Sequence, residues 1–73
     1  MTRQRIQILD VVALLCDLPG RGLLRGQVGT IVEHLDDETF EVEFSDDKGR
    51  TYAMLALRAE QLMVLHHRPV EAA

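Results

Sequence analysis

The stretch Phe40-Glu41-Val42-Glu43-Phe44 alternates strictly between apolar and acidic side chains. Successive residues of a β-strand point to opposite faces, so these five set three apolar groups on one side and two glutamates on the other. Asp36-Asp37-Glu38 precedes them as a polar turn. Before that turn, Gln27 to Leu35 carries Val28, Thr30, Ile31 and Val32, all with strong strand preference. The two runs predict an antiparallel hairpin with a dry face and a wet, acidic face.

The pattern continues on both sides of the hairpin. Ser45 to Arg50 reads as a second turn, with Gly49 placed for a positive φ. Thr51 to Leu57 forms the next strand, with Thr51, Ala53, Leu55 and Leu57 on one face and Tyr52, Met54 and Ala56 on the other. Arg58 to Gln61 reads as one helical turn, and Leu62 to Leu65 as a last short strand. Upstream, the apolar run Ile6 to Leu18 ends at Leu18-Pro19-Gly20, a turn signal that favours a strand over a helix. Pro19 to Gly29 holds four of the five glycines and reads as a long shaped loop, with Leu23 or Leu24 folding back over one end of the core. Five short strands with this spacing predict an all-β fold, a small five-stranded SH3-like barrel. Its long glycine-containing loop follows strand 1, and its short helical turn precedes the last strand. The domain is expected to span residues 6–66, with 1–5 and 67–73 as flexible termini.

Composition narrows the function classes. With 73 residues the chain is one small domain. One cysteine cannot make an internal disulfide, and the Met-Thr-Arg-Gln-Arg start lacks the apolar core of a signal peptide. A cytoplasmic location is expected. The net charge of −4 argues against default binding to nucleic acid or anionic membrane. The charge is uneven: residues 1–35 carry four bases and three acids, and residues 36–73 carry four bases and nine acids.

A resemblance adds to this reading. Leu9 to Leu15, Asp17-Leu18-Pro19, Gly22-Leu23 and Arg25-Gly26-Gln27-Val28-Gly29-Thr30-Ile31-Val32-Glu33 resemble a bacterial family of small proteins, the domain-of-unknown-function family numbered 4926. Glu41 to Phe44, Gly49 to Ala53 and Leu62 continue the likeness, which spans roughly residues 8–65. It implies a small SH3-like fold, a binding role and no defined reaction. The segment Gly26 to Glu33 is also similar to the glycine-containing strand of ribosomal and transcription-factor barrels that bind RNA.

Candidate chemistry is sparse. His66 and His67 are adjacent and project to opposite sides if extended, while His34 and Cys16 belong to other elements. No Cys-x-x-Cys or His-x-x-x-His spacing supplies converging metal ligands, and no acidic ladder suits calcium. Cys16 precedes Asp17, which disfavours a thiolate. Glu41 and Glu43 share a solvated face without a cleft, so no catalytic pair, cofactor or metal is expected, and the protein is read as a non-enzyme. Phe40, Phe44 and Tyr52 are the only aromatics, too few for a proline-peptide groove, a methyl-lysine cage or a base-stacking platform.

The sequence therefore points to a protein-interaction module. Its expected contact residues are Asp36, Asp37, Glu41, Glu43, Asp46 and Asp47 on the acidic hairpin, with Tyr52 and Met54 on the next strand. The plainer reading of the acidic hairpin, and the one its charge pattern favours by itself, is a solvated face that keeps an apolar strand soluble. The expected partner is another protein or a second copy of the chain as a homodimer or small oligomer. One alternative is an RNA- or ribosome-associated barrel contacting nucleic acid through Arg21 and Arg25. Another is an antitoxin- or immunity-like inhibitor of a neighbouring gene's product.

Overall fold

The computed structural model describes residues 5–69. Five strands run β1 (Val11–Leu14), β2 (Val28–Asp36), β3 (Thr39–Ser45), β4 (Thr51–Arg58) and β5 (Leu62–Val64). Two single 3-10 turns, Pro19–Arg21 and Ala59–Gln61, are the helical content among the described residues. The protein is all-β, as the alternation predicts. All strands join one antiparallel sheet in the order β4-β3-β2-β1-β5. The first four form a meander, and β5 returns to pair with β1.

The hydrogen bonds leave this sheet open. No ladder among the described residues joins β4 to β5, so the closure expected of a barrel is not made by strand pairing. The 3-10 turn Ala59–Gln61 occupies the short link between these two edges. The expected flexible termini fall for the most part at residues 1–4 and 70–73, outside the described residues.

One apolar cluster fills the inner face. Val12 and Leu14 from β1, Ile31 from β2, Phe40, Val42 and Phe44 from β3, Leu55 and Leu57 from β4, and Leu62 from β5 all belong to it. Both edge strands thus feed the same cluster, which the sheet surrounds with help from the loop after β1. That loop is pinned as well as shaped. Leu18 and Leu23 exchange main-chain bonds (2.8 and 3.1 Å), and Leu23 is buried while Leu24 stays exposed. Fully burying one leucine contributes on the order of 1.5–3 kcal/mol, which favours the loop's place against the core.

Register depends on places where the chain departs from simple alternation. Ile31 pairs with Val42, but Glu33 pairs with Glu41, so Val32 is an extra residue. A second irregularity at Leu35 separates His34↔Phe40 from Asp36↔Thr39. A third makes Tyr52 the extra residue between Thr51↔Ser45 and Ala53↔Phe44. Such bulges re-aim side chains locally. The first one turns Glu33 outward; strict alternation from Ile31 would have turned it into the core.

Gly29 solves a packing problem on the inner face. It lies opposite Phe44, and a Cβ there would sit 2.7 Å from Val42 Cγ1, 3.0 Å from the Glu43 carbonyl oxygen and 3.1 Å from Phe44 Cδ2. The absent side chain is the space those groups occupy. In the turn after β3, Gly49 has φ +81°, the left-handed conformation that its glycine predicts.

Candidate interaction surface

The acidic residues between Asp36 and Asp47 do not form one cluster. The turns at the two ends of β3 are separated by seven strand residues, a length of about 20 Å at ~3.4 Å per residue. Within each turn one aspartate is held by the main chain. Asp36 Oδ1 accepts the Glu38 N–H (2.9 Å). Asp46 Oδ1 accepts the Lys48 and Arg50 N–H groups (2.9 Å each), and its Oδ2 accepts the Arg50 guanidinium (3.2 Å). The Glu38 N–H, followed by the Thr39 side chain, pulls the Asp36 carboxyl below its ordinary value of 3.8. The Arg50 and Lys48 N–H groups do the same for Asp46. These two aspartates build turns, while Asp37 and Asp47 lie exposed at the turns.

Glu41 and Glu43 occupy the outer face of the sheet, as alternation requires. The register adds Glu33, which the sequence did not single out: it stands directly opposite Glu41. Beyond them on β4, Glu41 faces Ala56 and Glu43 faces Met54, which is 45% exposed. Glu43 accepts a hydrogen bond from the Thr51 hydroxyl. Neither Glu33 nor Glu41 forms an ion pair among the described residues; Arg58, two residues along β4 from the neighbour of Glu41, pairs with Glu60 (3.5 Å) and Glu38 (3.8 Å) instead. Like charges directly opposite in a sheet are destabilising.

The other half of the outer face is apolar. Ala13 is buried between its cross-strand neighbours Val28 and Met63, both about half exposed. Only the register shows this row, because its members are far apart in the sequence. Tyr52 is less available than its position suggests: its hydroxyl accepts the Gln27 side-chain N–H (3.0 Å), tying β4 to the start of β2.

The remaining candidates are dispersed. Arg21 ends the first 3-10 turn and Arg25 follows in the loop, both exposed. The Arg25 main-chain N–H is taken by Asp17 (2.8 Å). Cys16 is half-buried against the core and accepts from the Gln61 amide (3.6 Å). His34 packs its ring edge-on against Phe40, with centroids 4.5 Å apart. Both line a cleft of about 360 Å³ with Arg5, Ile6, Asp37, Glu38 and Ala59. Among the described residues no three His, Cys, Asp or Glu side chains converge as metal ligands would, and no helix is long and apolar enough to cross a membrane.

These features define a small all-β domain with an outer sheet face divided between carboxylates and exposed apolar side chains. The family model for "Domain of unknown function (DUF4926)" matches residues 8–64, most of the chain, and the protein belongs to that family. No curated protein and no solved structure matches the chain.

Proposed function

We propose that the protein is a non-enzymatic interaction module, cytoplasmic and bacterial, built on an SH3-like plan. Its docking surface is the outer face at Glu33, Glu41, Glu43, Met54 and Ala56. The partner is a protein that presents basic residues beside an apolar segment. The observation that carries this reading is the Glu33–Glu41 pair: two carboxylates held in register without an ion pair among the described residues, beside exposed methionine and alanine. An arrangement that costs stability in the free protein is relieved when a cation from a partner lies between the two groups.

Affinity capture with the wild-type chain and with a Glu41→Lys/Glu43→Lys variant tests the proposal. The wild type should retain basic proteins whose binding weakens as salt rises, and the variant should lose them. Equal retention by both would overturn the docking face.

A further inference from the structure

Strand β4 forms one edge of the sheet, and the register shows which of its main-chain groups point outward. Ala59 N–H donates to the Glu38 carbonyl (2.9 Å), one rung beyond Thr39↔Arg58. Hydrogen-bonded pairs in an antiparallel ladder fall on every second rung. Leu57 and Leu55 therefore turn their main chain toward β3, and Arg58, Ala56 and Met54 turn theirs to the free edge. The Arg58 N–H confirms this direction, since it is taken by the Gln61 side chain (2.8 Å). Met54 and Ala56 have no such partner among the described residues, leaving two N–H and two C=O groups presented side by side.

Proteins protect exposed edges with short strands, prolines, lysines or bulges. The opposite edge, β5, is three residues long. β4 has eight, and from Thr51 to Leu57 it carries no charge, proline or glycine. Its one bulge, at Tyr52, lies near its start.

We propose that this edge pairs antiparallel with the same edge of a second copy of the chain, about a two-fold axis. With Leu55 opposite Leu55 of the second copy, Met54 and Ala56 pair reciprocally and all their outward main-chain groups are satisfied. Arg50 lies in the turn before β4 and Glu60 in the 3-10 turn after it, so the pairing is confined to the rungs between the Tyr52 bulge and Arg58. A slip that placed Met54 opposite Met54 would set Ala56 against the bulged Tyr52, where the ladder is irregular. The acids of β3 do not oppose the pairing. The two β3 strands would be three strand spacings apart, about 14 Å, beyond the physiological screening length of ~8 Å. β4 itself carries no acid that would select a basic strand in place of a second copy.

The proposal deepens the interaction-module reading by naming a partner, and it rests on that reading only for its class. Light scattering and sedimentation over a range of concentrations test it. The wild type should approach twice the 8.3 kDa chain mass. Ala56→Pro removes an N–H that the intrachain ladder does not use, so it should keep its far-UV spectrum and return to one chain mass. Should that variant fail to fold, Met54→Pro removes the other outward N–H and makes the same test. Glu41→Lys/Glu43→Lys should remain dimeric, and hydrogen exchange at Met54 and Ala56 should quicken on dilution. A wild type at one chain mass up to millimolar concentration would overturn the edge pairing. So would a dimer that persists in Ala56→Pro, or in Met54→Pro. A wild type of one chain mass that still captures basic proteins would overturn the pairing and leave the docking face standing, while a glutamate variant that stays dimeric but loses them would support both.

Discussion

Replacing Gly29 with alanine puts one methyl group where the inner face has no room. The new carbon would lie 2.7 Å from Val42 Cγ1, against an ordinary carbon–carbon contact of roughly 3.5–4.0 Å. Relief needs a movement of about 1 Å. Val42 and Phe44 are fully buried, so neither side chain can swing into solvent. The third neighbour, the Glu43 carbonyl oxygen at 3.0 Å, belongs to the β3 backbone and cannot rotate away. Overpacking of this kind costs about 1–3 kcal/mol. The smaller entropy of the unfolded alanine chain returns about 0.4–1 kcal/mol. From the central values the net loss is about 1.3 kcal/mol, which for a domain of this size lowers Tm by roughly 5–10 °C. Far-UV circular dichroism during heating and in urea would measure it, at protein concentrations low enough that self-association adds nothing. Gly20→Ala is the control, because a Cβ there meets nothing within 4 Å. Val42→Ala in the Gly29→Ala background removes the closest clashing atom, so the two changes together should cost less than their sum. A Gly29→Ala melting curve matching wild type, or strictly additive costs in the double variant, would refute the steric account.

Other consequences follow from single residues. Glu41→Lys replaces a like-charged cross-strand pair with an opposite one, so at low salt it should raise stability by about 0.2–1 kcal/mol while abolishing capture of basic partners; a destabilised variant in urea would contradict this. Asp46 has its carboxyl held below the ordinary value of 3.8 by the Arg50 and Lys48 N–H groups, so its stabilisation is complete above that value and fades as pH falls through the lowered one. The Tm gap between wild type and Asp46→Ala should therefore be widest near neutrality and close in strong acid; a gap independent of pH would exclude this role. Leu9 adopts φ +75° with its side chain 74% exposed, in a turn closed by Asp10 N–H to the Gln7 carbonyl (3.0 Å). A non-glycine residue pays about 1–2 kcal/mol in that conformation, so Leu9→Gly should raise Tm by several degrees, and a lowered Tm would show that the leucine side chain matters to the fold.

Strand identity was readable because its signal is local. Phe40 to Phe44 alternates with the period of the pleat, and the glycine of Ser45 to Arg50 sits where a positive φ is needed. Those features hold within a few residues, so composition and spacing were enough for the hairpin, its dry and acidic faces and a helical turn before β5, while the family came from a resemblance spread along the chain. The tertiary structure decided what depends on distant partners. It chose Leu23 over Leu24 for the core, because only one of them can meet the inner face while Leu18 pairs across the loop. It inserted Val32 as an extra residue and so turned Glu33 to the surface, opposite Glu41. It separated seven apparently clustered acids into two turn-building aspartates, exposed turn residues and a sheet-face group, because a strand sets its two end turns about 20 Å apart. It also left β4 as an edge: alternation tells which way a side chain points, but only the ladder tells whether a strand has a neighbour.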